Sequence, residues 1–132
     1  MPPNDPVSED IALSDLQLDV MRVLWRGEAS VADVAAALSA ARGLAHTTVA
    51  TLLTRLAKRG AVSQRREGRV LYYRALVTEP QVRRTMVSDL IQTLFRGDPG
   101  ALLAHLVSEK EVAPGDLERV RALLAGAKAD KP

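Results

Sequence analysis

Cysteine is absent from the 132-residue sequence. Disulfides, thiol chemistry and Cys-ligated metals are therefore excluded. The composition fits a reducing compartment, so the expected location is the cytoplasm. Aromatic residues are scarce at 3%, while apolar residues reach 47%. Leu, Val and Ala must then fill the core. No apolar run approaches the ~18 residues of a membrane-spanning helix. The N-terminus lacks the basic and apolar regions of a secretory signal, and no membrane insertion is expected. His46 and His105 are the only histidines. They lie far apart, with no neighbouring carboxylate pair at metal-ligand spacing. No Ser-His-Asp arrangement, phosphate-binding loop or dinucleotide fingerprint is visible. No catalytic residue, metal or cofactor is expected, and an enzymatic role has no support.

The net charge of +2 says little about partners, but its distribution says more. Residues 42–74 carry eight basic side chains: Arg42, Arg55, Lys58, Arg59, Arg65, Arg66, Arg69 and Arg74. Glu67 is the single acid among them, so this block has a net charge of +7 and the rest of the chain −5. A basic block between acidic flanks is the electrostatic footprint of a nucleic-acid reader.

At the centre of that block lies AHTTVATLLTRLAKRG, residues 45–60. Val49, Leu52, Leu53 and Leu56 recur at helical spacing and form one apolar stripe. Thr47, Thr51, Thr54, Arg55 and Lys58 fall on or near the opposite face, which has hydroxyls and cations but no carboxylate. Such a helix can be held to a domain by one side while the other lies against a polyanion. It reads as a recognition helix entering the major groove of DNA.

The segments before and after it are consistent with that role. Ser14 is placed to cap a first helix. Leu16, Val20, Val23 and Leu24 form one face of that helix, and Leu18, Met21 and Trp25 a second, so it is expected to lie between layers and to end at Gly27. Trp25 belongs to a helical stripe and is expected in packing rather than on a base. Ser30 caps a short helix, 31–41, with Val31, Val34, Ala35 and Leu38 inward. Gly43 then breaks the chain before the central helix, which makes a helix-turn-helix. Residues 61–66 and 70–76 read as two strands joined by a Glu67-Gly68 turn. Arg65, Arg66 and Arg69 cluster at the tip, as in a wing lying along a phosphate backbone. Tyr72 and Tyr73 point to opposite faces, one to the core and one outward.

Residues 16–25 (LQLDVMRVLW), 44–60 (LAHTTVATLLTRLAKRG) and the hairpin EGRVLYYRAL together resemble the penicillinase-repressor family, the BlaI/MecI/CopY type. The resemblance covers about residues 13–126. It implies a dimeric bacterial repressor on a palindromic promoter operator, with an N-terminal winged helix and a C-terminal helical dimerisation region. Copper-responsive members carry cysteines in the C-terminal region, so a Cys-based copper sensor is excluded here. The β-lactam-responsive members are released when a membrane receptor-protease triggers their cleavage. That cut falls near the end of the helix corresponding to 78–96, here Thr93-Leu94-Phe95-Arg96. An inducing protease is thus a candidate partner, while inducer and target genes stay open.

The C-terminal pattern agrees with the resemblance independently. Residues 78–96 read as a helix with Val82, Met86, Val87, Leu90, Ile91, Leu94 and Phe95 along one broad side. Gly97-Asp98-Pro99-Gly100 breaks it. A short helix, 101–107, brings Leu102, Leu103 and Leu106. Another, 114–125, has Leu117, Val120, Leu123 and Leu124 inward. Three short helices make a poor solitary core, so a second copy is expected to complete it.

The expected fold is mainly α with a small β-hairpin wing. Residues 1–11 form a disordered tail, 12–77 the DNA-binding domain, 78–127 the dimerisation region and 128–132 a flexible tail. DNA contacts are expected from His46, Thr47, Thr48, Thr51, Arg55 and Lys58 on the helix, and from Arg65, Arg66, Arg69 and Arg74 on the wing. Dimer contacts are expected from Val82, Met86, Leu90, Ile91, Leu94, Phe95, Leu102, Leu103, Leu106, Leu117, Val120 and Leu124. The expected function is sequence-specific repression by a homodimer on double-stranded operator DNA. The alternative is a winged-helix protein-interaction module. A docking wing has no need of four arginines around one hairpin, which favours DNA.

Overall fold

The computed structural model describes residues 11–129. It contains two compact units, one reaching Asp89 and one beginning at Leu90.

In the first unit, helix α1 (Asp15–Leu24) starts at a reciprocal capping box. The Ser14 hydroxyl accepts from the Gln17 amide at 3.2 Å, and the Gln17 carboxamide oxygen accepts from the Ser14 amide at 3.0 Å. Val20, Met21, Val23 and Leu24 are buried, while Leu16, Leu18 and Trp25 pack against the same core. Both expected apolar faces are therefore used. A two-residue strand, β1 (Ala29–Ser30), leads into α2 (Val31–Arg42). Ser30 and Asp33 form a second capping box at 3.1 and 3.2 Å. Helix α3 (His46–Lys58) follows, then β2 (Val62–Glu67) and β3 (Val70–Ala75). The strands form an antiparallel sheet in the order β1-β3-β2. The strand β1 was not expected, because two residues are too few to show any periodicity.

How α3 ends determines where the wing starts. Gly60 has φ +80°. Its amide donates to the Ala57 carbonyl at 3.1 Å, and the Ala61 amide donates to the Leu56 carbonyl at 2.9 Å. This is a Schellman ending, in which a left-handed residue satisfies the last carbonyls of the helix. Ala61 and Val62 are then buried as β2 begins. The hairpin loop is Gly68-Arg69, one residue later than the expected Glu67-Gly68, because Glu67 still pairs with Val70. Tyr73 is buried and Tyr72 half-buried, as alternation requires. The Trp25 indole N–H donates to the Val77 carbonyl at 2.8 Å, tying the end of α1 to the chain leaving β3.

Two placements differ from expectation. Ile11, assigned to the tail, is buried in the core; the rest of that tail and residues 130–132 lie outside the described residues. Val82, assigned to the dimer face, is 1% exposed and also belongs to this core, with Met86 packed partly against it. The reason is that α4 (Glu79–Phe95) starts within the first unit, capped by Thr78 and Gln81. Its first turns are used there before the second unit begins.

The second unit holds the end of α4, α5 (Pro99–Ser108) and α6 (Asp116–Ala129). Asp98 caps α5 through the Gly100 amide at 2.9 Å, and Pro99 occupies the first turn. The expected break is present at 96–98, and the next helix starts at Pro99, two residues before the expected Ala101. Among the described residues from Leu90 to Gly126 none is buried. Leu90, Leu94, Leu103, Leu117, Val120, Leu123 and Leu124 are 41–67% exposed, and Ile91, Phe95, Leu102 and Leu106 half-buried. The last four residues expected inward on the third short helix are therefore not covered by their own chain.

Leu53 and Leu56 are the largest fully buried leucines, both on α3. Leu53→Ala is expected to lower stability by about 2–5 kcal/mol through lost burial and a residual cavity. Thr54→Ala, on the exposed side of the same helix, should stay within about 0.5 kcal/mol. Urea unfolding of the full chain checks both.

Candidate nucleic-acid interface

Helix α3 divides cleanly by face. Val49, Leu52, Leu53 and Leu56 are buried, whereas His46, Thr47, Thr48, Thr51, Thr54, Arg55 and Lys58 are exposed. The Thr51 hydroxyl donates to the Thr47 carbonyl at 3.0 Å, and that of Thr54 to the Ala50 carbonyl at 2.9 Å. Each hydroxyl has used its proton, so its oxygen lone pairs and its methyl group are what it presents outward. The start of α3 also differs from those of α1 and α2. Ala45 offers no capping side chain, and the first turn holds no acid. Its leading N–H groups and the positive end of the helix dipole are left uncompensated, the arrangement that favours an anion.

The basic block separates according to partner. The Arg42 guanidinium is hydrogen-bonded to Asp19 at 2.5 Å, and Arg22 bonds the same carboxylate at 3.1 Å. Arg59 donates to the Gln17 carboxamide oxygen at 3.3 Å and to the Ala12 carbonyl at 2.7 Å. It pins the segment before α1 to the end of α3. Arg65, expected as a free wing cation, is instead gripped from two sides. It donates to both Glu28 carboxylate oxygens, at 3.1 and 2.8 Å, and to Glu67 at 2.8 Å. Its guanidinium also lies 4.8 Å from the centre of the Tyr72 ring, across the ladder. Glu28 just precedes a strand of two residues, so nothing in the sequence pattern marks it as Arg65's partner. The side chains of Arg55, Lys58, Arg66 and Arg69 make no hydrogen bond or ion pair among the described residues. Arg74 makes none either, although its charge acts on Glu28.

A groove of about 290 Å³ is lined by Ser30, Val31, Ala32, His46, Arg69, Val70 and Leu71. It brings the start of α3 and the wing loop onto one surface. Arg74 lines a different cleft, with Trp25, Arg26, Glu28 and Val77, so it is not gathered with His46 and Arg69. Among the described residues no group of three His, Cys, Asp or Glu side chains could hold a metal ion. No described helix is long and apolar enough to cross a membrane.

Arg65's hydrogen bonds hold the Glu28 carboxyl below its ordinary value of 4.5, and the charges of Arg65 and Arg74 act in the same direction against partial burial. Hydrogen bonding to Glu28, then to Glu67, pushes Arg65 up. A carboxyl with a depressed folded pKa stabilises above its unfolded pKa, and that stability is lost as pH falls through the folded value. Wild type should therefore be more stable than Glu28→Gln near neutral pH. The difference should shrink to nothing once the pH falls below the lowered Glu28 pKa, as urea unfolding across pH will show.

The family model described as penicillinase repressor matches residues 13–126. The transcriptional regulator BlaI of Mycobacterium tuberculosis is 39% identical over 124 residues, spanning 91% of this chain and 90% of the relative. The methicillin resistance regulatory protein MecI of Mammaliicoccus sciuri is 23% identical over 113 residues, spanning 85% of this chain and 92% of that protein. The complex structure of hsRosR-S4 aligns with a TM-score of 0.51 at 21% identity, covering 89% of this chain and 90% of that one. At that identity the likeness concerns the fold alone. With the whole region from α1 to α6 matched by one family model, the chain belongs to the penicillinase repressor family, whose members are DNA-binding transcriptional repressors and not enzymes.

Proposed function

We propose that this chain is a sequence-specific repressor that binds a dyad-symmetric promoter operator as a homodimer. The observation that carries the DNA contact is the groove shared by the start of α3 and the wing loop. Around it stand an uncapped helix N-terminus and four basic side chains without protein partners: Arg55, Lys58, Arg66 and Arg69. His46, Thr47, Thr48 and Thr51 occupy the first turns of α3, where side chains reach base edges or the adjoining phosphates. Threonine can accept from a base edge and place its methyl against a thymine methyl. Arg66 and Arg69 on the wing meet phosphates, which position the protein without reading sequence.

The homodimer is supported by the apolar surface of the second unit. Leu90, Leu94, Leu103, Leu117, Val120 and Leu124 are too numerous and too exposed for a chain that stays single. Ile91, Phe95, Leu102 and Leu106 extend that surface, and Met86 adjoins it in sequence. A twofold dimer presents two copies of α3, so half-site centres should lie about 10 bp, or a multiple of one turn, apart.

Selection of bound fragments from genomic DNA tests the reading and gives the operator; enrichment no better than that of random duplex would favour the protein-docking alternative. On the selected site, Thr51→Ala should cost on the order of 1–3 kcal/mol of specific affinity and leave non-specific binding almost unchanged. Arg69→Ala should weaken both and lower the salt slope by about one unit for each lost phosphate contact. Light scattering should give twice the 14.3 kDa chain mass at micromolar concentration. A chain truncated after Asp89, which keeps Val82 and Met86 with the core of the first unit, should be monomeric and bind more weakly, because its half-sites are no longer linked.

A further inference from the structure

The wing has two faces, and they differ in charge. Residues paired across an antiparallel ladder share a face. The register pairs Arg65 with Tyr72, Glu67 with Val70 and Ser63 with Arg74. One face of the hairpin therefore carries Arg65, Glu67, Tyr72 and Arg74, to which Glu28 adds its carboxylate from just before β1. Two acids there balance two arginines, so this outer face is neutral. Arg66 lies on the opposite face with Leu71 and the buried Tyr73, and Arg69 lies in the loop.

The hairpin is also held unevenly. Val62 and Tyr73 anchor its base in the core, whereas every residue of β2 from Gln64 to Glu67 is exposed. Beyond that base, Leu71 of β3 is half-buried against the core, but β2 has no buried side chain after Val62 to set the angle of its strand. Glu28 reaches it there from outside the hairpin, with two hydrogen bonds in a fork that fits the planar guanidinium. Glu67 takes the remaining edge of Arg65 and the Tyr72 ring lies 4.8 Å from it, so the arginine is constrained on several sides.

We propose that Glu28 is a positioning residue for the wing: its two-point grip on Arg65 sets the angle of the hairpin, so that Arg66 and the Arg69 loop, not Arg65, meet the DNA backbone. This rests on the DNA-binding reading above. Arg65 would have to give up three hydrogen bonds to reach a phosphate, and its neutral surroundings offer no net attraction for one. The same arrangement makes α1, β1 and the wing one frame, with Glu28 placed between Trp25 and the sheet.

The test uses the full chain and four variants: Glu28→Ala, Arg65→Met, their combination, and the charge-swapped pair Glu28→Arg with Arg65→Glu. Without DNA, amide hydrogen exchange at residues 66–71 should quicken about two- to fivefold in Glu28→Ala, the range of an exposed ion pair. The helices should exchange as in wild type. On duplex DNA both single variants should bind more weakly with an unchanged salt slope, the combination should be no worse than either, and the swapped pair should recover part of the loss. Unchanged exchange in Glu28→Ala overturns the proposal. So does a salt slope lowered by about one unit per subunit in Arg65→Met, which would make Arg65 a phosphate contact. Tighter, more salt-dependent binding by Glu28→Ala overturns it too, because the freed Arg65 would then be reaching the backbone. A wild-type chain that binds no duplex at all would remove the repressor reading, while the exchange measurement still decides whether Glu28 holds the wing.

Discussion

Val49, Leu53 and Leu56 hold α3 into the core by one face, and every DNA contact proposed for the protein depends on that burial. Each such side chain removed from water contributes about 1.5–3 kcal/mol. A missing N-cap costs about 1 kcal/mol. Packing therefore outweighs capping here, and α3 can keep an uncompensated N-terminus that an isolated helix could ill sustain. The contrast within one small unit is informative. Helices α1 and α2 both begin in reciprocal capping boxes, and α3 alone of the three has neither cap nor first-turn acid. What is locally unfavourable for folding is what leaves N–H groups free for an anion.

The wing inherits its placement from the same helix. The Schellman ending at Gly60 turns the chain from Leu56 directly into the buried Ala61 and Val62, so β2 cannot start elsewhere. The Leu76 amide then closes on the Ala61 carbonyl at 2.8 Å, and Trp25 holds the Val77 carbonyl from α1. Helix, hairpin and the exit to α4 are thereby fixed at adjacent residues. This is why a groove can run between His46 at one end of α3 and Arg69 in a loop that folds back from its other end.

The helices and the hairpin were legible in the sequence because their signals are local. Ser14 and Ser30 are caps, Gly60 is a stop, and the apolar stripe of α3 recurs at helical spacing. Strand β1 was not legible: two residues carry no period, and its pairing with Tyr72 and Tyr73 is a long-range fact. Val82 was misassigned for a related reason. It shares a helical stripe with Leu90 and Leu94, and a stripe says only that a face is apolar, not which neighbour covers it. The partners of Arg42, Arg59 and Arg65 were equally hidden, since Asp19, Gln17 and Glu28 lie 23, 42 and 37 residues away in the chain.

That last group changes how the basic block is understood. Eight cations against one acid point to a polyanion partner, but a cation already bonded to a carboxylate or carbonyl gains little by turning to a phosphate. It must break the bonds it has, and the acid it leaves then repels the incoming backbone. Arg42, Arg59 and Arg65 are committed in this way to holding α1, α2, α3 and the wing together. The cations that remain unbonded are Arg55 and Lys58 on α3, Arg66 and Arg69 on the wing, and Arg74 beside Glu28. Apart from Arg74, they lie on α3, in the wing loop or on the face of the hairpin away from Glu28 and Glu67. Three of the eight cations legible in the sequence thus build the frame, and of the five it leaves unbonded the four that lie away from Glu28 are what can exchange counterions for DNA.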